Sequence, residues 1–298
     1  MSFYAEQDGT QYESGIVSRD ALQHSNLDIG LRENRQGTAA HSIYIDRTLG
    51  VRSQTYSDQL PTLEEMEMRR SLFSQAEEAF SAEPDIDGVL HGRRVVKLGK
   101  RGIGRASYFP SKKNAKSGLP AVAIPVESRA ESMYALELER NPSVQAFRSQ
   151  AIELDLPGST SPVYPDFLYV DIDGRLHLRE VKANKEFLSQ EFRERIEVIT
   201  GILHKVGISY AVADLSEMPS GMKSANLFWL HKQYDRIPYF EEIQVFISLN
   251  FERSTYGELQ ELCRCKGLPI AIVPYLLLSE KLKTNWKCRI DNLAEVWK

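Results

Sequence analysis

The chain has 298 residues, 42% hydrophobic and 26% charged, with a formal net charge of −4 at pH 7; that is an ordinary globular composition with material for a sizeable core, and about 150 residues per domain gives an expectation of two domains. No apolar run reaches the eighteen or so residues of a membrane span, and the amino terminus carries Glu6 and Asp8 where a secretory signal needs a basic start and an apolar stretch, so no membrane partner and a cytoplasmic location are expected. Cys263, Cys265 and Cys288 are too few and wrongly spaced for a zinc site and are expected as reduced thiols.

In chain order, residues 1–60 are polar and lack sustained periodicity, and are expected to be irregular. Helical spacing begins after Pro61, with Leu63, Met66, Leu72, Phe73, Ala76 and Phe80, and predicts a helix over Thr62 to Phe80. Charge then changes sign. Residues 1–90 carry 16 acids and 7 bases, whereas Gly88 to Val126 holds no acid and nine bases: Arg93, Arg94, Lys97, Lys100, Arg101, Arg105, Lys112, Lys113 and Lys116. A polyanion is the expected partner of this stretch, and the glycines and aromatics within it suit a flexible arm on nucleic acid; a solvated basic loop is the alternative.

The middle of the chain reads as an α/β unit. Ser128 to Arg140 is a predicted helix ending before Asn141-Pro142, and Val144 to Phe147 and Ala151 to Leu156 are predicted strands. Phe167 to Ile172 and Leu176 to Lys182 alternate and meet at Asp173-Gly174, as in a hairpin. A helix over Glu186 to Val206 and a strand over Ile208 to Ala213 follow, so the expected fold is α/β, a mixed sheet flanked by helices. In the tail from about Pro238, Thr255-x-x-Glu258 is a capping box that opens a helix ending at Gly267, Pro269 to Glu280 suits a second helix and Thr284 to Ile290 a strand, which suggests a small winged-helix-like module.

Chemistry concentrates in Tyr164-Pro165-Asp166-Phe167 and Arg179-Glu180-Val181-Lys182. Glu180 and Lys182 lie two apart on one strand, hence on one face, and Asp166 opens the neighbouring strand. Two carboxylates so placed suit a hard cation such as Mg²⁺, with Mn²⁺ as a substitute, and a neighbouring ammonium can orient an attacking hydroxide; phosphodiester hydrolysis is the matching reaction. The bland alternative is an exposed hairpin with a cross-strand ion pair worth ~0.2–1 kcal/mol. Glu131 is the candidate third acid, because it shares a helical stripe with Tyr134, Ala135 and Leu138, while Glu137 and Glu139 lie off it. Ser128-x-x-Glu131 is also a capping box, so Glu131 can serve the helix start instead.

Ser128-Arg129-Ala130-Glu131, Glu137 to Val144, Phe147-Arg148-Ser149-Gln150, Tyr164 to Leu168, Glu180-Val181-Lys182, Phe109 to Lys113 and Trp229 to Tyr234 together resemble the TnsA endonucleases of heteromeric bacterial transposases, members of the PD-(D/E)XK restriction-like superfamily. The resemblance covers about residues 88–298 and implies a restriction-endonuclease-like sheet. The expected division is a nuclease domain with a basic arm (88–237) and a winged-helix-like domain for DNA or a partner (238–298), preceded by an acidic extension (1–87), partly irregular with one helix, about which the resemblance says nothing. The resemblance implies Glu131, Asp166, Glu180 and Lys182 as the catalytic set, with Val181 beside them among the metal-binding positions, and the nine bases of the arm on double-stranded DNA. The implied activity is Mg²⁺-dependent cleavage of transposon 5′ ends, beside a DDE-type, TnsB-like transposase and an AAA+, TnsC-like ATPase regulator. A self-sufficient mobile-element nuclease and a catalytically inactive DNA- and ATPase-binding adaptor are the rival expectations. His177, His204 and His231 are read as structural, Trp229 and Tyr234 as core or interface aromatics, and Gly102-Ile103-Gly104 as no phosphate loop.

Overall fold

The computed structural model describes residues 62–96, 106–116, 119–156 and 160–298, and the backbone of two paired antiparallel strands, β1 (Ile43–Ile45) and β2 (Arg52–Gln54). Strands β1 and β2 depart from the irregular character expected of residues 1–60; the rest of those residues and the positions of Lys97, Lys100, Arg101 and Arg105 lie outside the described residues.

Helix α1 (Leu63–Ser81) starts where Thr62 and Glu65 cap each other: the Glu65 N–H donates to the Thr62 hydroxyl at 3.2 Å and the Thr62 N–H to the Glu65 carboxylate at 2.9 Å. An antiparallel pair, β3 (Ser107–Ser111) and β4 (Val122–Val126), leads into α2 (Arg129–Arg140). The helix stops because Pro142 pushes Asn141 into extended backbone.

The principal sheet holds β5 (Val144–Ser149), β6 (Phe167–Asp171), β7 (Leu176–Lys182) and β8 (Ser209–Asp214) in that order, antiparallel except for the parallel β7–β8 pair. The β6–β7 hairpin closes where Asp171 accepts the N–H groups of Asp173 and Arg175, with Gly174 at φ 77° supplying the left-handed residue. Helix α3 (Gln190–Lys205) connects the parallel pair. The predicted helix from Glu186 to Val206 is two pieces, a 3₁₀ turn (Lys185–Phe187) and α3. The break falls at Leu188, which is extended, and Ser189 caps α3 by accepting from the Phe192 N–H. Ala151 to Leu156, predicted as a strand, forms a single bridge, Leu154 to Val163, since among the described residues no strand runs beside the rest of it.

Alternation along the strands builds two cores. Phe147, Phe167 and Val181 pack with α2, whereas Leu168, Leu178 and Leu176 face the other way into a cluster with Ile199 and Leu203 of α3 and with Leu72 and Ala76 of α1. Helix α1 is therefore part of the folded body, although residues 1–87 are expected from the sequence as an extension.

The tail comprises α4 (Gly221–His231), α5 (Phe240–Ser248), β9 (Arg253–Thr255), α6 (Tyr256–Cys265), α7 (Ile272–Leu278), β10 (Lys283–Thr284) and β11 (Glu295–Trp297), with sheet order β10-β11-β9. The predicted capping box opens α6, where the Glu258 N–H donates to Thr255 at 3.2 Å and the Thr255 N–H to Glu258 at 2.8 Å. Thr284 to Ile290 is not a strand: β10 ends at Thr284, and a turn follows in which Asn285 accepts the Lys287 N–H at 3.1 Å. The apolar cluster on the α2 side continues through Leu230, Ile243, Phe246, Leu259, Leu276 and Val296, so no gap in the core marks the expected boundary at residue 238. Cys263 is buried, and Cys265 and Cys288 are exposed free thiols.

Because Leu72 fills the α3-side cluster, Leu72→Ala is expected to cost about 2–5 kcal/mol of unfolding free energy, read by chemical denaturation, against less than about 0.5 kcal/mol for a change at exposed Glu77.

Candidate functional site

Asp166 sits one residue before β6, and since Phe167 pairs with Arg179, Asp166 falls beside Glu180 at the next rung of the ladder. Glu180 and Lys182 share the face of Leu178, the α3 side, where the Lys182 ammonium lies 5.0 Å from the Phe192 ring centroid. The apolar rungs end here and charged ones begin. Lys182 Nζ donates to Glu180 Oε1 at 2.6 Å, and the Val181 N–H donates to Asp166 Oδ2 at 2.7 Å. Burial first, and the charge of Glu180 second, push the Asp166 carboxyl up to about 7, with the Val181 N–H acting in the opposite direction.

Glu131 approaches from the N-terminus of α2. It is 6% exposed. Its Oε2 accepts the Glu127 N–H and its Oε1 the Ser128 hydroxyl, each at 2.8 Å, while its own N–H donates to Ser128 Oγ at 3.1 Å. Glu131 thus caps the helix as well as lying close enough to the site for its charge to raise Asp166 and for Lys182 to act on it. Burial is the main cause of its raised pKa.

The arm residues divide. Arg93 pairs with Glu78, Arg94 with Glu127, and Lys116 with Glu83 at 2.7 Å, all with exposed side chains. Lys112 and Lys113 are different, which corrects their expected place on DNA. Lys112 is 7% exposed, its ammonium bonded to the His231 carbonyl and 4.3 Å from the Tyr234 ring centroid. Lys113 Nζ donates to the carbonyls of Leu138 and Asn141 at 2.8 and 2.6 Å, at the C-terminus of α2, where a cation is favoured. Burial pulls both ammonium groups down to about 8.

Sequence reasoning set Glu139 aside as off the buried stripe, yet it is 5% exposed and accepts from the Ser111 hydroxyl at 2.7 Å and the N–H groups of Lys112 and Lys113 at 2.8 and 3.0 Å. His231, 3.9 Å from Glu139 and stacked on Phe109, completes this buried anchor, and Tyr234 is a core aromatic as expected. Trp229 packs against Tyr256 with ring centroids 5.5 Å apart. His177 is tied to Asp171 at 2.9 Å and stacked on Tyr169. Gln150 was also missed as a polar neighbour of the site: it is 1% exposed, and its N–H donates to the Asp166 carbonyl at 2.9 Å.

No model of a known protein family matches this sequence, and no curated protein matches it.

Among the described residues, no group of three or more His, Cys, Asp or Glu side chains stands at metal-ligating spacing. The donor set to be tested for Mg²⁺ is therefore Asp166 with Glu180. It fits: Mg²⁺ binds through one or two carboxylates and retains water, and a cation would relieve the repulsion that raises Asp166.

In the metal-free protein the folded-state pKa of Asp166, about 7, lies above its unfolded value of about 3.9, so the folded state binds more protons between these values and loses stability as pH rises from about 4 to about 7. Asp166→Asn, which retains an acceptor for the Val181 N–H, is expected to melt higher than the wild type at pH 8 in chelator and equally at pH 4; differential scanning calorimetry at both values checks this.

Proposed function

We propose that this chain is a Mg²⁺-dependent DNA endonuclease subunit of a heteromeric Tns-type transposase, cutting the 5′ ends of the transposon. The reading is supported chiefly by the meeting of Asp166, Glu180 and Lys182 on one face at the end of the β6–β7 ladder, with Glu131 at the head of α2 within electrostatic reach. Asp166 and Glu180 would hold the cation, which when bound polarises the scissile phosphate and lowers the pKa of a water molecule. Lys182, already paired with Glu180, places a positive charge beside the developing pentavalent phosphate and fixes the Glu180 carboxylate. Phosphate affinity comes from the exposed bases, of which Arg93, Arg94 and Lys116 are described.

The tail runs helix, strand, helix, helix, strand, strand, the order of a winged helix, and this supports that reading of α5 to β11. Its third helix, α7, is buried through Ile272, Val273, Leu276, Leu277 and Leu278 and packs against α4 and α6. A winged helix that reads DNA presents that helix to the major groove, so here the exposed turn with Lys287 and Arg289 is the surface left for DNA, a TnsB-like transposase or a TnsC-like ATPase. A second reading, the inactive adaptor, is favoured by one observation: both oxygens of Glu131 are engaged in the cap.

Asp166→Ala or Glu180→Ala is expected to abolish Mg²⁺-dependent cleavage in the presence of the cognate transposase while DNA binding stays within about threefold, because phosphate contacts carry the affinity. Strand-specific cleavage of labelled transposon ends measures it, and normal cutting by Asp166→Ala would end the nuclease reading. Glu131→Gln separates the roles of that residue: a melting point close to the wild type with cleavage lost assigns it to catalysis, and both retained assign it to the cap alone.

A further inference from the structure

Gln150 follows β5 with φ 47°, a left-handed conformation that a glutamine adopts at a cost, and it is 1% exposed. Its backbone extends the β5–β6 ladder by one bond, to the Asp166 carbonyl. Its side chain is a neutral bridge between opposite charges. Oε1 accepts from Arg94 Nε at 2.7 Å and Nε2 donates to Glu127 Oε2 at 3.1 Å, the oxygen that also takes Arg94 Nη2. Glu127 in turn gives its N–H to Glu131.

The amide is the side chain these neighbours require. A glutamate would set a second carboxylate against Glu127, a lysine could not accept from Arg94, and an aliphatic residue would leave both partners short of a bond. The chain entering from the arm fits the same point closely: a Cβ on Gly92 would lie 2.2 Å from the Ser149 carbonyl oxygen and 2.5 Å from that of Gln150. Only glycine permits that approach.

We propose that Gln150 is a positioning residue of the acidic site, fixing Asp166 through its backbone and joining Arg94 through its side chain to Glu127, the residue before the N-cap of α2, so that the basic arm and the metal-binding carboxylates form one frame. The left-handed backbone aims the amide at its two partners, and the Asp166 strand is held by the same residue. This rests on the metal reading of Asp166 and Glu180.

The test is Mn²⁺ binding to the full chain by isothermal titration calorimetry, with melting temperatures in chelator for every variant. Gln150→Gly suits the left-handed backbone and removes only the amide; the expected result is a melting point close to the wild type with Mn²⁺ affinity about 10–100-fold weaker, the usual effect of losing a group that orients ligands. Should Gln150→Gly melt markedly lower, Gln150→Asn decides, since asparagine tolerates this conformation but its shorter side chain cannot span Arg94 and Glu127; the same weakening at a wild-type melting point is expected. Wild-type Mn²⁺ affinity in the folded variant, with Asp166→Ala binding none, overturns the positioning role and leaves the metal reading standing. Equal Mn²⁺ binding by the wild type and Asp166→Ala overturns the metal reading and this proposal with it.

Discussion

The crowding of Asp166 and Glu180 at the end of the β6–β7 ladder is the constraint around which the surrounding structure is arranged. Two carboxylates opposite each other on one rung, drawn out of water, are costly, and burial first and their mutual repulsion second are visible in the raised Asp166. Two features of the chain moderate it: the Lys182 ammonium on Glu180 and the Val181 N–H on Asp166. Each depends on register. A slip of one residue between β6 and β7 would carry Glu180 and Lys182 to the α2 face, into the company of Phe167, and bring Val181 out toward α3.

The basic stretch is not uniform. Arg93, Arg94 and Lys116 keep their charges near solvent, whereas Lys112 and Lys113 are drawn inside by the C-terminus of α2 and by the carboxylate of Glu139. Burial works against the charge of Glu139, yet the His231 imidazole 3.9 Å away and bonds from the Ser111 hydroxyl and the Lys113 N–H hold its carboxyl below the ordinary range. That buried group joins the end of β3, α2 and α4, so the base of the arm is anchored to the same helix that carries Glu131.

The features legible in the sequence are those set by local pattern. The β6–β7 hairpin announces itself by alternation and by Asp173-Gly174, the helix starts at Ser128 and Thr255 by their caps, and the start at Thr62 by Pro61 before it. Strands β3 and β4 escaped because their apolar residues lie within a segment whose charge dominated the reading, and α4 and α5 because short apolar stretches carry no distinctive period. Residue type with local spacing, two along a strand for Glu180 and Lys182 and a helical stripe for Glu131, nominated these residues and Asp166. The buried positions of Glu139 and Lys112 depend on contacts 27 and more residues apart in sequence, and the role of Gln150 depends on a backbone angle and on the missing Cβ of Gly92, none of which a one-dimensional pattern contains.

The burial of α7 has a consequence for how such a chain can change over time. A tail that met the remainder only through a linker could be exchanged between relatives as a unit, bringing a new partner with it. Here Ile272, Leu276 and Leu277 are enclosed with Leu227 and Leu230 of α4, and the Asn226 amide holds the Cys288 carbonyl and the Ile290 N–H. Recombination at residue 238 would split one packed interior between two parents. Change in the tail must come instead by substitution on the outer surface, residue by residue, while the interior on both sides of α7 is inherited together.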